Sequence, residues 1–328
     1  MRESVVPAKS DSKPRIVTIS RSRRDEWQAL LRRAFSTRWD RLYLRPGFFP
    51  DYITHDPGFR PGHLVGLMVA DRLVSVYQVF ARRIVIGQRT YRAEGIGNVG
   101  TDVEFQGRGY GTRLLRAYLR HNSNRDVAFV YARDGAFYRR IGWRRLKSRT
   151  LIVLRDSVRH ARRGRTIRRR RITAEDLPAL ARIYARFNSA EGLSHMVRSD
   201  AYWRRWIWGW KLGIYRLRAE VVTDLAQRPL GYIFSRLSGS TLLIEEYGAL
   251  PSRRDEVHAE ILSAFRGQRG ATTLQVMRSV GSLERFLDRE RLEYQTTRGF
   301  HETGQAFIFH PELKRFKEEI GLWHVDHF

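Results

Sequence analysis

Three closely set glycines, Gly107, Gly109 and Gly111, stand between an apolar run and a segment of helical spacing: Val99-Gly100-Thr101-Asp102-Val103-Glu104-Phe105-Gln106-Gly107-Arg108-Gly109-Tyr110-Gly111-Thr112-Arg113-Leu114-Leu115. The order reads as strand, glycine loop, helix. Its chemistry is that of an anion cradle. Glycines let the backbone turn tightly and approach a ligand with no Cβ in the way, while a helix start offers unpaired N–H groups and partial positive charge. Arg108 and Arg113 add formal charge, so a pyrophosphate suits the site. Spacing excludes two common nucleotide loops. A dinucleotide fingerprint needs a glycine at 112, where Thr112 stands, and a P-loop needs Gly-Lys-Ser/Thr after four spacers, with no lysine nearby. An ordinary glycine-rich turn is the structural alternative.

Residues 106–111 carry the pattern Gln/Arg-x-x-Gly-x-Gly/Ala and resemble the GNAT acyltransferase superfamily. A second element comes after the apolar run Val127-Ala128-Phe129-Val130-Tyr131. It reads Asp134-Gly135-Ala136-Phe137-Tyr138-Arg139-Arg140-Ile141-Gly142-Trp143, similar to the superfamily's Phe/Ile-Tyr-x-x-x-Gly-aromatic element. The resemblance implies that Tyr138 protonates a departing coenzyme thiolate. It also implies that Val99, Gly100 and Thr101 face the pantetheine, and that Gln106, Gly107, Arg108, Gly109, Tyr110, Gly111 and Thr112 hold the pyrophosphate of acetyl-coenzyme A. The chemistry agrees, since a phenol of pKa about 10 keeps its proton at neutral pH and can give it to a thiolate whose conjugate acid lies near 8.5. Phe137 and Trp143 read as core aromatics. For the base, Glu94 stands near where some superfamily members hold a glutamate, but one residue farther from the loop, and a one-residue shift reverses strand facing unless a bulge absorbs it. Asp102 reads equally as a structural turn carboxylate, and water is a further alternative.

The chain's 328 residues suggest two domains, and 42% apolar content can build real cores. No run approaches the 18 apolar residues of a membrane span, and the polar start to Lys13 lacks a secretory segment, so a cytoplasmic location is expected. Cysteine is absent, which removes disulfides, thiolate metal sites and an acyl-cysteine intermediate. Acyl transfer would run directly from thioester to acceptor. The net charge of +27 attracts anions, including coenzyme phosphates, and disfavours polycationic acceptors.

The elements that must position these residues begin with a strand over 15–20 and a helix over 25–35, which has apolar spacing at Trp27, Leu30, Leu31 and Ala34. A Pro/Gly-rich loop spans 45–62, and strands cover 63–70, 73–86 and 92–103. Leu114, Leu115 and Tyr118 set one helix face on the sheet. With the strand at 127–132, a complete GNAT fold is expected within 15–155.

Eight arginines crowd 159–171, marking a linker and first strand between a disordered tail (1–14) with coenzyme-binding domain (15–158) and a second domain (172–328). The pattern then restarts, with a capping-box spacing at Thr173 and Asp176, a helix to Phe187, strands near 218–223, 231–237, 241–246 and 273–277, and a helix at 255–265. Where a phosphate loop would fall, Leu250-Pro251-Ser252-Arg253-Arg254-Asp255-Glu256-Val257 has no glycine and two acids, so only the first half should bind coenzyme. The fold class is a mixed α/β arrangement of two tandem GNAT folds, the second degenerate. This resembles the enhanced intracellular survival (Eis-like) acetyltransferases without their sterol-carrier-like third domain. In that family a C-terminal carboxylate acts as base, which points to Phe328, and relatives form symmetric assemblies, so a homo-oligomer is admitted.

The expected function is acetyl-coenzyme A-dependent N-acetylation of a small-molecule or protein amine. Alternatives are an aminoacyl-tRNA-dependent transferase of the Fem type and a non-catalytic nucleic-acid-binding protein on a GNAT scaffold. Residues 159–171 offer phosphate contacts for nucleic acid, against the reading of a solvated linker and edge strand. Trp203, Trp206 and Trp210 at i, i+3 and i+7 read as core rather than a base-stacking platform. His324-Val325-Asp326-His327 reads as an exposed tail, and no metal is expected.

Overall fold

The structure, a computed structural model, describes residues 13–36, 48–122, 124–132, 134–158, 167–316, 322, 323 and 326. Two compact units divide them: the first lies within Met1–Thr54, Gly58–Phe80 and Ile96–Asn124, the second within His55–Pro57, Ala81–Gly95 and Arg125–Phe328.

In the first unit β1 (Arg15–Thr18) pairs antiparallel with β2 (Leu64–Val69), and β2 with β3 (Arg72–Ile86), in the registers Arg15↔Met68 and Leu64↔Gln78. The 96–101 end of β4 (Arg89–Thr101) completes this sheet. Helix α1 (Arg24–Ser36) has Asp25 and Glu26 in its first turn, where acids favour the dipole, and buries Trp27, Leu30 and Leu31 completely. A Cβ on Gly100 would come within 3.0 Å of Leu31 and 3.3 Å of Ala34, so that glycine lets α1 approach β4 closely. The expected loop at 45–62 instead contains α2 (Phe48–His55), which buries Phe48 and Ile53. Pro50 does not forbid it, because the first turn's amides lack helical partners anyway. Helix α3 (Tyr110–His121) buries Leu114, Leu115, Ala117 and Tyr118.

The second unit holds the remaining strands: β5 (Val127–Tyr131), β6 (Arg144–Leu154), β7 (Ile167–Arg171), β8 (His195–Met196), β9 (Arg218–Asp224), β10 (Pro229–Ser238), β11 (Thr241–Ala249), β12 (Thr273–Val276) and β13 (Gln295–Ile308). Its helices are α4 (Gly135–Arg139), α5 (Leu177–Ala190), a π-helix (Tyr202–Lys211) running on into α6 (Leu212–Ile214), α7 (Arg254–Gly267) and α8 (Gly281–Arg289). The neighbour order β5-β13-β6-β12-β11-β10-β9-β7 corrects the expectation of a complete fold within 15–155. Strand β13, from the end of the chain, pairs with β5 (Ala306↔Phe129) and with β6 (Thr296↔Leu151), and β6 pairs with β12 (Val153↔Leu274). From β7 onward the chain repeats the strand–helix–three strands–helix–strand order of its first half. In that repeat, β11 and β12 run parallel with α7 as the crossover.

Candidate functional site

The glycine loop is built from the end of β4 outward. Inside β4, Asn98 adopts φ 51°, and its Nδ2 donates to Gln78 Oε1 at 2.8 Å. A left-handed residue in a strand breaks the regular ladder and re-aims the residues after it, and asparagine is among the few side chains that accept it. The Gln106 side chain donates to the Thr101 carbonyl at 3.2 Å and closes the loop's base. Gly107 and Gly109 both sit at φ +78°, and a Cβ built on either meets nothing within 4 Å. Gly111 lies in the first turn of α3, outside the left-handed region. Gly109 is the N-cap of α3, and no side chain caps the helix, so its first amides lack a side-chain acceptor. Beside it opens a cavity of about 400 Å³ lined by Gly109, Thr112, Arg113, Arg116 and Arg120. Arg108 stacks over Phe105 at 5.1 Å, as does Arg72 at 4.8 Å. Uncapped amides, open Cβ positions and surrounding guanidinium groups fit a diphosphate.

Tyr138 and Glu94 belong to the second unit. Tyr138 lies on α4, which Asp134 caps by accepting from the Phe137 amide at 3.2 Å. Gly142, at φ +98°, turns the chain back so that the Trp143 amide reaches the Tyr138 carbonyl at 3.2 Å. Trp143 then packs edge-on against the Tyr138 ring at 5.9 Å, with Phe307 on it at 6.0 Å. This explains the Tyr-x-x-x-Gly-Trp spacing: the glycine makes the turn and the tryptophan fixes the ring. Burial, and after it the Asp134 carboxylate, pushes the Tyr138 phenol well above its ordinary range. Glu94 is buried at 3% exposure and accepts from Arg125 Nε at 2.5 Å. Sequence reasoning missed Arg125, an ion-pair partner 31 residues away that no local spacing signals.

Residues 15–146 match the family model of an acetyltransferase (GNAT) domain. This segment is a GNAT acetyltransferase domain. No curated protein sequence matches the chain. Among solved structures, a GCN5-related N-acetyltransferase from Kribbella flavida is similar at 18% identity, covering 90% of this chain and 71% of that one with a TM-score of 0.66. Eis1 from Mycobacterium abscessus is similar at 16% identity, with 93% and 76% covered and a TM-score of 0.63. The N-myristoyltransferase of Saccharomyces cerevisiae with bound myristoylCoA is similar at 11% identity, with 93% and 85% covered and a TM-score of 0.52. At these identities the likenesses show the shared fold.

Within the GNAT domain Asp102 is a structural carboxylate. Fully buried, it accepts from Arg33 at 2.7 Å and Arg72 at 3.5 Å, and caps the short turn Val103–Phe105 through the Glu104 amide. Burial alone would raise its pKa, but the Arg33 hydrogen bond, the Glu104 amide and the charges of Arg33 and Arg72 outweigh it and hold the carboxyl below its usual range. In the second half, α7 opens with Asp255 and Glu256, which bind Arg289 at 2.6 Å and Arg253 at 2.8 Å. Its start is occupied by the protein's own ion pairs.

The arginine-rich segment is described only from residue 167. There Arg169 pairs with Glu220 and Arg170 with Asp176, as β7 forms an edge strand. Trp203, Trp206 and Trp210 are at most 4% exposed and serve as core, although the helix carrying them is a π-helix. The exposed-tail reading is corrected at Asp326. This residue is fully buried and binds Arg198 at 2.8 Å and the Tyr202 hydroxyl at 3.0 Å, while Arg198 also grips Glu246 at 2.6 Å. His324, His327 and Phe328 lie outside the described residues. Among the described residues no group of three His, Cys, Asp or Glu is placed to hold a metal, and no helix is long and apolar enough to cross a membrane.

Proposed function

We propose that the chain is an acetyl-coenzyme A-dependent N-acetyltransferase that passes acetyl directly to a primary amine. The observation that carries this reading is the loop at 106–112, where two left-handed glycines with open Cβ positions precede an uncapped helix start. Backbone amides of 107–112, with Gln106 and Arg108, would hold the pyrophosphate, and Val99, Gly100 and Thr101 the pantetheine. Bound acetyl-coenzyme A supplies an activated thioester. Tyr138, which keeps its proton at neutral pH, is the residue that the family resemblance assigns to donate to the departing sulfur. Glu94, fixed by Arg125, is the carboxylate assigned to take the amine's proton, directly or through water. With no cysteine in the chain, no acyl-cysteine intermediate forms. The filled start of α7 supports coenzyme binding by the first half alone, and a cytoplasmic location supplies the donor.

Calorimetry with acetyl-coenzyme A tests the reading. One site per chain is expected, weakened at least about tenfold by Gly109→Val, whose side chain enters the open space and strains a left-handed position. No heat with the wild type, or undiminished binding in the variant, overturns it. Thiol release over a panel of primary amines then finds the acceptor.

A further inference from the structure

In the second unit β5, β13, β6 and β12 are successively antiparallel, so β5 and β12 run in opposite directions, with their carboxyl ends toward the middle of β6 and β13. Ligands of α/β sheets collect outside such ends. Two residues past β12 stands Arg278, which is half-buried. Its Nη1 donates to the Ser194 carbonyl at 2.9 Å and its Nη2 to the Ser194 hydroxyl at 3.3 Å, while the guanidinium lies 5.6 Å from the centre of the buried Trp323 ring. Those bonds use two of an arginine's five N–H groups. Among the described residues Arg278 has no carboxylate partner. Neighbouring arginines are engaged: Arg82 by Asp56, Arg155 by four main-chain carbonyls, and Arg198 by Asp326 and Glu246. Those last two carboxylates also accept from the Tyr202 and Tyr232 hydroxyls, so they act on Arg278 only at a distance. Burial brings the Arg278 pKa down to about 10 against the pull of Tyr184, Tyr131, Asp326 and Glu246, so the group is cationic at neutral pH and its charge is incompletely balanced.

Resting on the acyl-transfer reading above, we infer that the amine acceptor carries a carboxylate and that Arg278 binds it. Ser194 clamps one edge of the guanidinium and Trp323 sits against it, which fixes the plane of a fork matched to the two oxygens of a carboxylate. Arg278 acts electrostatically on the phenol of Tyr131, the last residue of β5. Helix α4, which carries Tyr138, follows directly. A molecule held by its carboxylate at Arg278 therefore lies at the strand end that leads into the tyrosine element. The chain's net charge of +27 favours approach of such an acceptor. The substrate class is amino carboxylic acids rather than simple amines.

The test measures thiol release from acetyl-coenzyme A with α-, β- and γ-amino acids, each paired with its carboxamide, in the wild type and in Arg278→Gln. An acid should exceed its amide in kcat/KM at least about tenfold, the scale of a charge-assisted hydrogen bond. In Arg278→Gln the KM of the acid should rise until the gap closes. Arg278→Lys keeps the charge without the fork and should retain only part of the gap, and it decides the matter if thermal melting shows the glutamine variant to be unfolded. Equal turnover of acids and amides by the wild type, a gap undiminished in the variants, or release with neither class while acetyl-coenzyme A still binds overturns the inference and leaves the coenzyme reading standing. Absence of coenzyme binding overturns both.

Discussion

A phenol buried beside a carboxylate parts with its proton reluctantly, and this decides how Tyr138 can act. At ordinary pKa values of about 10 and 8.5, proton transfer from phenol to thiolate is already uphill by about 2 kcal/mol, and burial with Asp134 steepens it. The useful contribution is a hydrogen bond that strengthens as the sulfur gains charge. Tyr138→Phe should lower kcat about 100-fold, with coenzyme affinity by calorimetry unchanged. Because its proton stays on until above pH 10, Tyr138 should add no descending limb to the kcat profile between pH 7 and 10. A limb near pH 8.5 that vanishes in Tyr138→Phe would show the phenol to be a far stronger acid than its surroundings imply. Sequence spacing made Tyr138 legible because Gly142 and Trp143, which build its turn, lie within five residues. Glu94's partner was not legible, since a contact between distant residues leaves no local pattern.

At the scale of elements, periodicity located most strands and helices to within a few residues, and burial of Trp203, Trp206 and Trp210 was legible in their spacing. The winding was not. The segment forms i→i+5 bonds over ten residues, longer than the usual single-turn π-bulge, and brings the Trp206 and Trp210 rings to 4.8 Å. The same segment buries Lys211, whose Nζ lies 5.2, 4.9 and 4.7 Å from the ring centres of Trp206, Trp210 and Tyr215. Burial brings its pKa down to about 7, against the pull of Asp326 and with the push of Arg82. Between about pH 7 and 10.4 the unfolded chain therefore holds a proton that the folded one lacks, so stability rises with pH across that window. The full effect is on the order of 5 kcal/mol and is absent at the alkaline end. Lys211→Met should flatten this slope in urea titrations at pH 7.5, 8.5 and 9.5, and stabilise the protein most at the lowest pH. An unchanged slope would place the buried charge elsewhere.

For the whole molecule, the repeat of element order was readable along the chain, but the exchange of final strands was not, because a strand's period gives its faces and not its neighbour. Strand β13 is polar and glycine-containing in its middle, without the apolar run that marks β5, and its end contributes Ala306 to the core. Yet it lies between β5 and β6, and one core joins Ile84, Val127, Phe129 and Leu146 to Ala306, Leu313 and Leu322. Each half thus depends on the other for main-chain hydrogen bonds as well as apolar contact. A fragment of residues 1–158, although it carries every residue assigned to the coenzyme, leaves both β5 and β6 with an unpaired edge and an open core. It should show no cooperative thermal transition and the narrow amide spectrum of an unfolded chain. Co-expression with residues 159–328 should restore both the transition and coenzyme binding. A sharp melt of the fragment alone would mean that β5 and β6 pair directly when β13 is absent, making the exchanged strand an embellishment rather than a requirement.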